Sequence, residues 1–256
     1  MIPIKEAFDH GKAFVAFLTC GDPDLETTAQ LVPAIAEAGA DLIELGIPFS
    51  DPTAEGPVIQ NANIRALSAG VTTDKIFDMV RKIRGEVRVP LAYGTERFLR
   101  NAAECGVSGL ILPDVPYEER EEFAAACDRY GVALIALVAP TSAERIAKIA
   151  ESSAGFVYCV SSLGVTGVRG SVGSDSKEMV SLVRRTSALP CAVGFGISTP
   201  QQAAEIAAYA DGVIVGSAIV KLMEQYGRSA KPYVTQYVRS MKNAMTKQDQ
   251  GGNNHV

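Results

Sequence analysis

Residues 41–47 read DLIELGI, and residues 48–60 continue PFSDPTAEGPVIQ. An apolar run of strand length with a glutamate at its centre is unusual, because a carboxylate is seldom buried unless it is paired or employed. Side chains alternate between faces along a strand. If Ile43, Leu45 and Ile47 face a layer of helices, then Leu42, Glu44 and Gly46 face the other way. In a closed barrel of parallel strands that other way is the axis. Glu44 then stands near the strand's C-terminal end, the end at which such barrels do their chemistry. Burial raises a carboxylate's pKa and suits it to move protons near neutral pH. The alternative is a glutamate locked in an internal ion pair.

Outward from this stretch, the same unit recurs along the chain. Strand-like runs fall at 13–19, 41–47, 88–93, 109–114, 133–139, 156–161, 190–196 and 211–217. Their near-continuous hydrophobicity suits parallel strands covered on both faces. Between them lie amphipathic helical patterns such as LETTAQLVPAIAEAG and TPQQAAEIAAYA, several opening at Ser or Thr and closing near Gly. Eight alternating β and α units predict an α/β fold, a single-domain (β/α)8 TIM barrel spanning residues 1–247. An extra N-terminal helix and a tail helix, KPYVTQYVRSMKNAM, are added to it. Residues 248–256 read as a disordered tail. An open doubly wound sheet is the second choice, weakened because no G-x-G-x-x-G follows the first strand.

Composition narrows the chemistry. The net charge of −5 comes without a clustered basic face, which argues against nucleic acid or anionic membrane as a partner. The five cysteines are scattered and never form C-x-x-C, so reduced, packed thiols in a cytoplasmic protein are expected. The two histidines, His10 and His255, lie near the ends, which leaves no material for a histidine triad or a multi-histidine metal site. No signal peptide and no run long enough to span a membrane is read.

The loop after the glutamate strand, read as PFSDPTAEGPVIQ (48–60), carries Asp51 and Glu55. Asp51, in S-D-P, reads as the cap of a turn. Glu55, on a loop over the mouth with Gly56 as its pivot, can approach Glu44 across a ligand, and two carboxylates of unequal burial make an acid/base pair. On the opposite side, Gly194, Gly196, Gly216 and Ser217 end the last two strands and leave backbone N–H groups at helix starts, an arrangement that favours an anion such as phosphate. The Gly- and Ser-rich segment 161–176 reads as a lid. Its Gly164 and Gly167 can add N–H groups, and its Thr166 can touch an acid on closure; Arg169 receives no role.

The combination of ELGIPFSDPTAEGPVIQNA, SSLGVTGVRG, VGFGIST, GSAIVK and FLTCGDP resembles the tryptophan synthase alpha subunit family over most of the chain. The resemblance implies a (β/α)8 barrel that cleaves indole-3-glycerol phosphate to indole and D-glyceraldehyde 3-phosphate by a retro-aldol reaction, without metal or organic cofactor. It implies Glu44 as the proton-moving acid and Glu55 as the group that engages the indole N–H. Phosphate falls to Gly167, Gly196, Gly216 and Ser217, and the substrate pocket to Phe17, Tyr158 and Thr166. It also implies an α2β2 heterotetramer, with pyridoxal phosphate only in the beta subunit.

Two departures stand out. The family usually carries aspartate where this chain has Glu55, one methylene longer. RVPLAYGTERF (88–98) passes from strand to helix through barely two residues, where the family usually has a longer segment that meets the beta subunit. The third strand and its following loop thus read as truncated, which predicts a weakened indole pocket, an altered partner surface and reduced activity. Two alternatives follow: an impaired subunit acting mainly as binding partner of the beta chain, or another phosphate-binding barrel enzyme.

Overall fold

A computed structural model describes residues 2–51, 55–84, 91–92, 96–160, 174–194 and 196–246. Eight parallel strands close on themselves in chain order: β1 (Ala13–Thr19), β2 (Leu42–Gly46), β3 (Leu91–Ala92), β4 (Gly109–Ile111), β5 (Ala133–Val138), β6 (Val157–Val160), β7 (Cys191–Gly194) and β8 (Gly212–Val215). The ring is completed by β1 on β8, with Val15 opposite Ile214. Every strand falls inside one of the eight apolar runs, and β1 fills its run from end to end.

The two faces separate as alternation requires. Phe14, Ala16, Leu18, Ile43 and Leu45 join the layer between barrel and helices. Val15, Leu42, Ile135, Tyr158, Ala192 and Ile214 fill the interior. A 3₁₀ helix, Ile4–Phe8, takes the place of the expected extra N-terminal helix and plugs the bottom of the barrel. Its plug is tight: a Cβ added to Gly109 would meet Ile4, and one added to Gly212 would meet Phe8. Small residues at the start of β4 and β8 let the plug seat.

β3 is described only at Leu91 and Ala92, and the residues on either side of it lie outside the described residues. The barrel nevertheless closes through it. Leu91 and Ala92 pair with Ile43 and Glu44 on one side, and Ala92 pairs with Gly109 on the other. Pairing with both neighbours carries the ring across this stretch. The residues around it, including Tyr93 and Gly94 and the surface expected to be altered there, lie outside the described residues.

The helices are α1 (Leu25–Glu37), α2 (Pro57–Ser68), α3 (Thr73–Ile83), α4 (Glu96–Glu104), α5 (Glu121–Tyr130), α6 (Ala143–Glu151), α7 (Ser174–Thr186), α8 (Pro200–Ala207), α9 (Ser217–Tyr226) and α10 (Lys231–Thr246). One expectation needs correction. PVIQ was read as the end of the mouth loop, yet Pro57 opens α2, with Gly56 as its N-cap. Proline lacks the N–H that the first helical turn leaves unpaired and already holds helical φ, so it starts the helix there. The tail helix α10 buries Val234, Val238, Met241 and Met245, one stripe at helical spacing, and packs against α1 and α8. All five cysteines are buried and free. No helix among the described residues is long and apolar enough to cross a membrane. Residues 248–256, read as a disordered tail, lie outside the described residues, as does residue 247.

Candidate active site

At the C-terminal rim, β1 and β2 run in register with Phe17 opposite Glu44 and Thr19 opposite Gly46. Phe17 and Glu44 therefore project side by side toward the mouth. The Phe17 ring leans along its strand. A Cβ at Gly46 would lie 2.5 Å from Phe17 Cζ, and one at Gly216 would lie 3.3 Å from its Cδ1. The ring thus spans the gap between the end of β2 and the end of β8 and is backed by Ile59, Ala62 and Val220. At Gly46 the missing Cβ is what admits the ring, whereas at Gly216 a Cβ would be a tight contact.

Glu44 as a residue keeps a window of exposure, but its Oε2 is fully buried and has no hydrogen-bond partner among the described residues. An unpaired buried polar atom is costly and calls for a use. Burial pushes the Glu44 carboxyl up to about 7, helped by the charge of Glu55 nearby. Glu44 therefore exchanges its proton near neutrality.

Glu55 precedes the N-cap of α2 and is half-buried. Its backbone carbonyl accepts from Gln60 Nε2 at 2.8 Å, and its Oε2 accepts from Asn63 Nδ2 at 2.6 Å. Burial raises its pKa, the Asn63 hydrogen bond opposes that rise, and the charge of Asp114 adds to it. The two acids thus share a field at the mouth while standing in different surroundings. Asp51 lies apart in an exposed bend and accepts from the Ser50 hydroxyl at 2.6 Å, a turn contact.

Tyr158, on β6, is buried across the barrel from β2, its ring against Gly194 and stacked on Phe156 at 6.3 Å. Burial, with the charge of Glu44 in reach, raises its phenol well above the ordinary value. It stays a neutral hydroxyl.

The two glycine-rich ends differ in a way the sequence did not show. At α8, the Thr199 hydroxyl accepts from Gln202 N, while Gln202 Oε1 accepts from the N–H groups of Ser198 and Thr199. This capping box consumes the donors there. At α9, Gly216 is the N-cap and no side chain caps it. The N–H groups of that first turn have no acceptor within their own helix, and the helix dipole adds to their pull on an anion. Gly196 sits between, at φ +83°, a conformation that glycine adopts freely. Phe17, Tyr158, Glu44, Glu55, Gly196, Gly216 and Ser217 thus surround one mouth, whereas Gly164, Thr166, Gly167 and Arg169 lie outside the described residues.

Two features were missed by sequence reasoning. Asn63, only 2% exposed, belongs to the buried stripe Ile59, Ala62, Asn63, Ala66 of α2. A polar residue in an otherwise apolar i, i+3, i+4, i+7 stripe was the available signal. Asp22, also 2% exposed, receives Arg65 Nε and Nη2 of α2 at 2.8 Å each, and Arg65 Nη1 reaches Glu224 of α9 at 3.0 Å. No local pattern links positions so far apart in the chain. Among the described residues, no group of three or more His, Cys, Asp or Glu side chains is placed to hold a metal ion.

Known proteins place the chain firmly. The family model described as tryptophan synthase alpha chain matches residues 5–249. A tryptophan synthase alpha chain of Geobacter sulfurreducens is 50% identical over 240 residues, covering 88% of this chain and 91% of the relative. That of Lacticaseibacillus casei is 43% identical and covers 96% of each. Among solved structures, a Mycobacterium tuberculosis tryptophan synthase chain superposes with a TM-score of 0.85 at 35% identity, covering 95% of this chain and 98% of that one. A Pyrococcus furiosus chain from the tryptophan synthase α2β2 complex gives 0.85 at 33% identity, covering 91% and 98%.

Proposed function

The chain belongs to the tryptophan synthase alpha chain family, and on that premise we propose that its barrel mouth cleaves indole-3-glycerol phosphate with Glu44 as proton carrier. The family role is that of a lyase subunit in tryptophan biosynthesis that pairs with a beta subunit. The observation that carries the assignment to Glu44 is its buried Oε2, without a partner among the described residues, beside Phe17 and held at the edge of neutrality.

The substrate phosphate sits on the uncapped first turn of α9, at Gly216 and Ser217, with Gly196 and Gly167 contributing N–H groups. Bound there, it fixes the far end of the substrate and holds the indole in register. Phe17 and Tyr158 wall the indole pocket, and Thr166 is assigned to the substrate. Protonated Glu44 delivers its proton to indole C3 while Glu55 accepts the indole N–H proton. Glu44, now a base, takes the proton of the glycerol hydroxyl on the carbon bonded to C3. The C–C bond breaks, and its electron pair returns to the ring. The aldehyde of glyceraldehyde 3-phosphate forms, and the indole nitrogen regains its proton from Glu55. Atoms and charge balance without an outside reagent, so no cofactor enters; pyridoxal phosphate belongs to the beta subunit. Residues 1–247 act as one domain, working in the cytoplasm as part of an α2β2 heterotetramer.

Release of indole from indole-3-glycerol phosphate, assayed with and without beta subunit, tests the assignment. Turnover stimulated by beta subunit is expected. Binding of the beta subunit with no turnover would favour an impaired partner instead. A second expectation concerns the mouth's shape. Gly46→Ala forces the Phe17 ring aside, and a displacement near 1 Å at a reacting centre costs on the order of 100-fold in rate. Steady-state kinetics should show that loss with the circular dichroism spectrum retained; unchanged kcat/KM would remove Phe17 from the pocket.

A further inference from the structure

We infer that Asn63 is a positioning residue, which holds Glu55 as an ionised hydrogen-bond acceptor and so assigns the mobile proton of the acid pair to Glu44. The inference deepens the function proposed above and rests on it for the roles of the two acids.

Asn63 occupies a place where helix packing asks for an apolar side chain. Its neighbours in the buried stripe of α2 are Ile59, Ala62 and Ala66, and it is itself 2% exposed. A buried amide is tolerated only when its hydrogen bonds are made. Here the amide donates to Glu55 Oε2 at 2.6 Å, a short bond of the kind that a charged acceptor makes. The donor is also held in place. Arg65, two residues further along α2, grips buried Asp22 through two hydrogen bonds and reaches Glu224 on α9. Ile59 and Ala62 pack on Val220 of α9. With α2 pinned to both the β1 loop and α9, the Asn63 amide is a fixed donor, and Glu55 is drawn back onto its own helix. Gln60 holds the Glu55 carbonyl at 2.8 Å and sets the same geometry from the backbone side.

Among the described residues, the two acids that face Glu55 disfavour its ionisation. Glu44 approaches from β2 and Asp114 from the segment after β4. Burial pushes in the same direction, and the Asn63 hydrogen bond is the contribution that opposes it. With the bond in place, Glu55 stays the anion, and its charge in turn keeps the proton on Glu44. Without it, two buried acids would compete for one proton, and the pair would lose its division of labour.

The test uses the full chain with beta subunit present, and the variants Asn63→Leu and the isosteric Asn63→Asp. A hydrogen bond to a charged group corresponds to about one to two pH units. Asn63→Leu is therefore expected to move the acidic limb of the kcat/KM profile upward by about that amount, and Asn63→Asp, which adds a third negative group, further still. In parallel, carbon-13 NMR of the glutamate carboxyls in the substrate-free protein should show the Glu55 titration rising in both variants. A purely structural role for Asn63 would lower activity or stability without moving either titration, and that result would overturn the inference. The two readouts separate the hypotheses. If the wild type releases no indole while the Glu55 titration still moves, the function falls and the positioning role stands. If the titration stays put, the positioning role falls whatever the turnover.

Discussion

Glu44→Gln is expected to reduce kcat for indole-3-glycerol phosphate cleavage by about 10³-fold, with KM changed little, because positioned proton transfer contributes on the order of 10² to 10⁴. Glutamine keeps the shape and fills the same space between Leu42 and Gly46 but carries no proton to give. The wild-type rate should itself fall as pH rises through about 7, as Glu44 loses the proton it must deliver. The same substitution has a second, opposite effect. In the folded protein Glu44 holds its proton up to about pH 7, whereas an unfolded glutamate releases it near 4.5. Between those values the folded state binds more protons, so stability is full below the window and declines as pH rises through it. At about 1.4 kcal/mol per pH unit, the loss amounts to roughly 3 kcal/mol at pH 8. Glu44→Gln removes that penalty and should make the protein more stable than wild type at pH 8, while the two should differ little at pH 4. Urea melts at both pH values measure it. A variant that is inactive yet no more stable at pH 8 would mean that Glu44 is solvated or paired, and its proposed role would go with that.

The second large effect is structural. Arg65→Met leaves the Asp22 carboxylate, 2% exposed, without its cation. Removing one partner of a buried pair costs about 3 to 5 kcal/mol, because a buried charge is left uncompensated. For a chain of this size the midpoint of thermal unfolding should drop on the order of 10 °C. The half-exposed contact to Glu224 contributes little to this, as solvent screens it. Converting both partners, Asp22→Asn with Arg65→Met, should recover most of the loss, since no unpaired charge then remains buried at this site. Calorimetry of the two singles and the double closes the cycle. A drop of less than 1 kcal/mol in the single variant would show that Asp22 finds water or another donor once Arg65 is gone.

Glu55 illustrates how far sequence reading reached and where it stopped. Its place on a mouth-facing loop near Glu44 was legible from the spacing between a strand and a Gly-Pro pair. That it is drawn onto Asn63 was not, because the loop was read past Pro57, where the helix in fact begins. Once α2 starts at Pro57, Asn63 falls on the buried face beside Ile59 and Ala62, and its amide lies within reach of Glu55. The compression around the third strand was also legible in the sequence, but that the ring closes through it was not. The described pair Leu91 and Ala92 joins β2 on one side and β4 on the other, and the ring closes.

What the sequence determined alone was whatever repeats locally: eight apolar runs, the face on which Glu44 lies, the stripe of the tail helix. Periods of 2 and 3.6 residues are set by backbone geometry and need no distant partner to be read. What only the tertiary structure decided was every property that depends on a neighbour from elsewhere in the chain. Gln202 folds back to close the start of α8 while that of α9 stays uncapped, so two similar glycine-rich turns differ as anion sites. Burial and the approach of Glu55 raise Glu44 toward neutrality. Desolvation and charge act through space, and the sequence specifies those distances only once the barrel has closed.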